Sequence, residues 1–204
     1  MGFDLTGKMN ETIPEPDWDL KYDHPDIRGY FKKRAEVKGA YFRANCWSWR
    51  AIPELVYSLD LITQEELNGD WAYNDFAEVP ASKAKEIGHA ILDWMDCMVV
   101  TKELVEEDLD KYILTHDCQV MGEMEFNEVW TKLPENQEDC SICDGTGDRT
   151  DGVIEGDWKK QCNGCNGCHG EGKVGNWETK YCTYMSHLKE FAEFASASGG
   201  FNIG

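Results

Sequence analysis

The 204-residue chain has no apolar run approaching the roughly 18 residues a bilayer-spanning helix needs. Its opening, MGFDLTGKMNETIPEPDWD, lacks a positive segment followed by an apolar one, the pattern of a secretory leader. The expectation is a protein that stays in the cytoplasm. Basic residues are scarce, 20 against 39 acidic ones, for a formal charge of −19. A field of that sign repels nucleic-acid backbones and favours basic partners. The G-x-S-x-G, P-loop and H-E-x-x-H patterns are missing, and Cys118 beside His116 is a lone pair without nucleophilic context. No catalytic residue and no organic cofactor can be named, so the reading leans away from an enzyme and leaves the question open.

The charge is unevenly spread. Residues 1–50 carry +1, residues 51–139 carry −17 (5 basic, 22 acidic) and residues 140–204 carry −3. Acid-rich runs such as EEDLD read as a solvated face, with mimicry of a polyanion as the sharper alternative. Residues 9–27 hold Pro14, Pro16 and Pro25 among polar residues and read as an extended arm or long loop. Residues 28–50 then place seven basic residues among Tyr30, Phe31, Tyr41, Phe42, Trp47 and Trp49. Stacking rings with arginines suit single-stranded nucleic acid. Given the net charge, the favoured reading sends Tyr41, Phe42, Trp47 and Trp49 to the core.

Beyond residue 50 the pattern is helical. IPELVYSLDLI reads as a short helix with Pro53 near its first turn, and Thr63 with Glu66 forms a capping box. Ser82 is a candidate cap for a helix whose face is Ile87, Ile91, Trp94, Met95 and Met98. Further helices are expected over Glu103–Leu114 and Glu125–Leu133. From residue 137 glycine becomes frequent, and GKVGNWETKYCTYM reads as a short strand or two. Ser186 can cap a last helix with Leu188, Phe191 and Ala195 on one face, stopped by Gly199-Gly200. The expected class is α+β, mainly α. A helical domain over 1–136 is joined to a β-hairpin zinc-knuckle module with a C-terminal helix over 137–204.

Nine cysteines, an odd number, point to metal or buried thiols in preference to disulfides. Five of them, Cys140, Cys143, Cys162, Cys165 and Cys168, fall within 29 residues; Cys46, Cys97, Cys118 and Cys182 read as small buried hydrophobes. CSICDGTG and CNGCHGEG both follow C-x-x-C-x-G-x-G. Two cysteines three apart on a tight turn present both sulfurs to one ion. The glycines that follow permit positive φ and bring backbone N–H groups to the thiolates. The pair Cys162/Cys165 lacks the second glycine, since His169 stands there. The expected ligands of one structural zinc ion are therefore Cys140, Cys143, Cys165 and Cys168. Cys162 is left as a spare or substitute ligand and His169 as an exposed loop residue.

These two knuckles resemble the cysteine-rich zinc domain of DnaJ-type co-chaperones over about 35 residues. That family carries four repeats and two zinc sites; two repeats imply one site here. The tripeptide His24-Pro25-Asp26 matches the J-domain signature, but no two-helix hairpin fits the residues before it, and it reads as a polar proline turn. MGFDLTG, GAYFRANCWSWR and LKEFAEFASASGGFNIG, with the knuckle pair between, resemble a family of small bacteriophage-encoded proteins. The matching positions are Gly2, Phe3, Asp4, Tyr41, Phe42, Arg43, Asn45, Trp47, Trp49, Arg50, Phe191 and Phe194. The resemblance implies phage origin and the host cytoplasm, and brings no reaction with it. The leading expectation is a phage-type accessory protein that binds a host macromolecule, a host protein in preference to nucleic acid. The alternatives are a DnaJ-like polypeptide-binding or chaperone-adaptor module, and an enzyme with a site near Arg43, Asn45, Trp47 and Arg50.

Overall fold

Alternation of buried and outward residues along Gly2–Gly7 (β1) sets the architecture of the N-terminal part. In this computed structural model, which describes residues 2–73, 76–149 and 164–204, β1 lies inside a four-stranded antiparallel sheet of order β2-β1-β9-β3. Its neighbours are Tyr41–Asn45 (β2) and Gly200–Ile203 (β9), with Ala77–Pro80 (β3) at the far edge. Phe3, Leu5, Phe42, Ala44, Val79, Phe201 and Ile203 point to one buried face. Against it pack Cys46–Ser58 (α2), Ala81–Thr101 (α4) and Met185–Ala197 (α6). The remaining α-helices among the described residues are Pro25–Glu36 (α1), Gln64–Asn68 (α3) and Glu123–Glu128 (α5). The class is α+β, mainly α.

The protein divides into two compact units, Met1–Val120 with Tyr181–Gly204, and Met121–Lys180. The division falls at 120/121 and 180/181, where the sequence pattern puts it at 136/137. Pairing of Leu5 with Ile203 explains this, because α6 and β9 complete the first unit's sheet and core. A second sheet, of order β5-β4-β8, is built from Val120–Gly122 (β5), Tyr112–Thr115 (β4) and Cys182–Tyr184 (β8). In the inserted unit, Gln137–Asp139 (β6) pairs antiparallel with Lys173–Gly175 (β7).

Ile87, Ile91 and Met95 of α4 are buried, with Trp94 and Met98 packed beside them, as the spacing requires. Gly88 lets α4 and α6 approach closely: a Cβ there would lie 2.2 Å from Ser196 Oγ and 2.5 Å from the Ala192 carbonyl oxygen. The final helix carries Leu188, Phe191 and Ala195 into the core and ends at Gly199 (φ +68°). No helix among the described residues is long and apolar enough to cross a membrane.

Several local expectations are corrected. Ser82 and Ser186 are not caps; α4 and α6 start directly from β3 and β8, with Pro80 and Tyr184 at the N-cap and no capping hydrogen bond from either side chain. Pro53 lies inside α2, because Asn45 starts that helix earlier. The helix expected over Glu103–Leu114 is absent. Glu103 (φ +52°) ends α4, a kinked 3-10 turn spans Glu106–Lys111, and residues 112–115 join a sheet that buries Ile113 and Leu114. The helix around Glu125–Leu133 stops at Glu128 and gives way to 3-10 turns. Finally, His24-Pro25-Asp26 is a helix start: His24 Nδ1 accepts from the Asp26 N–H at 3.3 Å, and Pro25 occupies the first helical position.

Candidate metal centre

The antiparallel pair β6–β7 forms the base of the cysteine cluster, so Cys140 leaves β6 directly opposite the residues entering β7. The Cys140 N–H donates to the Gly172 carbonyl at 2.9 Å and the Cys165 N–H donates to the Gly147 carbonyl at 2.8 Å. These reciprocal bonds relate the knuckles by a local pseudo-two-fold: residue n of the first matches n+25 of the second. Positive φ follows the same rule. Asp144, Gly145 and Gly147 (49°, 77°, 77°) match His169, Gly170 and Gly172 (54°, 88°, 75°).

The glycines are required by contact as well as by dihedral. A Cβ on Gly147 would lie 2.4 Å from the Gly170 oxygen, and one on Gly172 would lie 2.3 Å from the Gly145 oxygen. Their N–H groups donate to sulfur, Gly147 to Cys143 Sγ at 3.3 Å and Gly172 to Cys168 Sγ at 3.1 Å. Gly167 adds a third such donor, to Cys165 Sγ at 3.4 Å.

Cys140, Cys143, Cys165 and Cys168 are all buried, and their four sulfurs lie within 4.8 Å of one another. The closest approaches are Cys140 to Cys165 at 3.8 Å and Cys143 to Cys168 at 3.7 Å. Burial works against the Cys165 thiolate. Hydrogen bonds from the Gly167 and Cys168 N–H groups and from the Cys143 and Cys140 thiols outweigh it, lowering that thiol to about 7. Thiolate is the form that binds metal, and the cluster is one that could hold a metal ion. Cys162 lies outside the described residues. His169 is exposed, as expected of a loop residue.

The Tyr41–Arg50 block is divided between core and surface. Trp49 is fully buried, stacks on Trp71 (5.7 Å, 4°) and Phe3 (5.1 Å), and donates from Nε1 to the Trp71 carbonyl at 2.8 Å. Asn45 caps α2, its Oδ1 accepting from the Trp47 and Ser48 N–H groups at 2.9 Å each. Trp47, against the expectation of a core position, is 38% exposed, with the Tyr181 ring 5.7 Å away. On the outer sheet face Tyr41 donates to Asp4, and Arg43 lies 3.9 Å from the same carboxylate. Burial first, then that hydrogen bond and the Asp4 charge, pushes the Tyr41 phenol up to about 12.

Cys118 Sγ lies 3.5 Å from Ser58 Oγ, and burial raises its thiol above the ordinary value; burial raises Cys182 the same way. Sequence reasoning missed the stem ion pair Lys173–Asp139 (2.6 Å). Its signal was the 25-residue offset, which brings those two positions together as neighbours of the ligating turns. It also missed a cleft between α2 and α3, whose residues are scattered from Arg50 to Tyr73. Comparison with known proteins finds no matching family model, no matching curated protein and no matching solved structure.

Proposed function

We propose that Cys140, Cys143, Cys165 and Cys168 hold one zinc ion as a purely structural site. We further propose that the protein is a non-enzymatic, phage-type accessory protein that binds a host macromolecule in the host cytoplasm, a protein in preference to nucleic acid. The observation that carries the metal reading is the convergence of four buried sulfurs from two reciprocal turns. A zinc–sulfur bond of about 2.3 Å places tetrahedral sulfurs about 3.8 Å apart, against 3.8 and 3.7 Å for the two closest pairs. Four thiolates complete the shell and leave no position for substrate or activated water, which is the structural kind of site.

Support for a protein partner comes from charge. The formal −19 is concentrated as −17 over residues 51–139, a surface that repels phosphate backbones and steers basic groups inward. The capping role of Asn45 and the packing role of Trp49 account for two positions of the Trp/Arg block without chemistry. A DnaJ-like polypeptide-binding role is the second reading. It is favoured by Met124, Val129, Ile142 and Trp177, all exposed within the unit that carries the cysteines.

Metal analysis of the purified protein is expected to give about one zinc per molecule. Cys140→Ser should lose it and Cys162→Ser should keep it; loss in Cys162→Ser alone would overturn the ligand set. Immobilised protein should retain one dominant partner from host lysate, released as salt rises. Suppression of aggregation of unrelated unfolded proteins, without such a partner, would favour the chaperone-adaptor reading instead.

A further inference from the structure

Arg50, like the exposed Arg43 and Trp47, is a residue of the Trp/Arg block for which neither capping nor core packing accounts. It is half-buried on α2. It makes no hydrogen bond, ion pair or ring contact among the described residues, in a protein where carboxylates outnumber basic groups about two to one. Its neighbours form a cleft of about 290 Å³, at the small end of ligand-site volumes. Pro53 and Leu67 give the cleft apolar walls, Trp71 backs it, and Asn68 and Tyr73 stand at the exposed rim. Trp71 is held rigidly by its stack on Trp49 and by the Trp49 Nε1 bond to its carbonyl.

We propose that this cleft is a binding site for a small monocarboxylate carried on a flat or apolar body, with Arg50 as the residue that takes the carboxylate. A guanidinium presents two parallel N–H donors that match a carboxylate in bidentate geometry. Pro53 and Leu67 offer apolar contact to the body of the ligand, and Arg50 holds its charge. Glu54, four residues along α2, also lines the cleft. With one basic and one acidic residue the cleft is near neutral, so a single negative charge is matched and a phosphate dianion is disfavoured. The net charge of the protein acts in the same direction. Every lining residue belongs to the unit that lacks the four clustered cysteines, so the site is built without them.

Calorimetric or ligand-observed NMR titration of the full-length protein tests this, with phenylacetate as probe. Neutral phenylethanol and dianionic phenyl phosphate serve as controls. Phenylacetate should bind one to one, and each control at least about tenfold more weakly, the loss of one charge-assisted contact. Arg50→Gln should weaken phenylacetate about tenfold or more and leave phenylethanol unchanged, with Arg50→Lys in between. Asn68→Trp at the rim should block the cleft without touching the core, and melting curves of the variants check that each is folded. Glycyl-phenylalanine and its C-terminal amide distinguish the source. Binding of the dipeptide but not its amide points to the free C-terminus of a polypeptide, and binding of phenylacetate alone to a free small acid; either supports the site. The proposal is overturned if wild-type protein ignores phenylacetate at millimolar concentration, if Arg50→Gln or Asn68→Trp binds it undiminished, or if phenyl phosphate binds more tightly.

Discussion

Tyr41 and Trp49 lie eight residues apart in one block and do opposite work. Trp49 packs its ring on Phe3, Trp71 and Phe191 and donates its Nε1–H to a carbonyl, so it is core with every polar atom satisfied. Trp49→Ala should cost about 3–5 kcal/mol in chemical denaturation, with little change in metal content. Tyr41 faces outward, with Arg34 over its ring at 4.0 Å and Asp4 accepting its hydrogen bond. Its phenol is raised from 10 to about 12 by burial and by Asp4. A raised folded value means the folded state holds the proton more tightly. That contribution to stability is complete below pH 10 and is lost as pH rises through about 12. Phenolate absorbance should therefore show one late-titrating tyrosine, absent from Tyr41→Phe. A wild-type profile without that component would contradict the environment assigned to Tyr41.

Helix starts divide into those set by a capping residue and those set by strands. The capping box at α3 is complete: Thr63 Oγ1 accepts from the Glu66 N–H at 3.2 Å, and Glu66 Oε2 accepts from the Thr63 N–H at 2.7 Å. That backbone bond, opposed by burial and helped by the Thr63 hydroxyl and Lys83, holds the Glu66 carboxyl below its usual 4.5. Its share of stability is present above that value and fades as acid protonates it. Thr63→Ala should cost about 1 kcal/mol, a loss read as a lower thermal midpoint. By contrast α4, α5 and α6 begin at Pro80, Gly122 and Tyr184, none of which supplies a capping hydrogen bond from its side chain. Strand geometry feeds the helix there, so cap-seeking picks Ser82 and Ser186 wrongly. The α4–α6 crossing is the sensitive contact between elements. Gly88→Ala should cost about 1–3 kcal/mol by overpacking against Ala192 and Ser196, despite alanine's better helix propensity. Stabilisation in that variant would show that the helices separate freely.

On the scale of the whole molecule, the first unit's core runs from Phe3 to Ile203 and contains none of the four clustered cysteines. If the cluster holds the proposed zinc ion, its removal should therefore act locally. Amide exchange after chelation is expected to accelerate at residues 121–149 and 164–180, while α4, α6 and the four-stranded sheet keep their protection. Uniform loss of protection would show that the metal supports both units. The acidic charge is a property of the entire molecule, and its effect on association should weaken as the Debye length shrinks with salt.

How much of this was legible depended on whether the signal was local. The knuckle spacing, the Thr63–Glu66 box and the Ile87–Ile91–Met95 stripe each occupy a few consecutive turns, so residue chemistry alone fixed them, along with the mixed, mainly helical class. Residues 112–115 carried no such signal, because β4 exists through its pairing with β8, far along the sequence. The same holds for β9, which closes the sheet between β1 and β3, and for the membership of α6 in the first unit. By itself the sequence determined which cysteines share a grammar, and the glycine contacts across the two turns give that grammar its physical cause. Only the tertiary structure decided that, of the four aromatics expected in the core, Phe42 and Trp49 enter it while Tyr41 and Trp47 do not, and that Arg50 meets Trp71 across a cleft. Long-range pairing and burial are properties of surfaces brought together, and no local pattern encodes them.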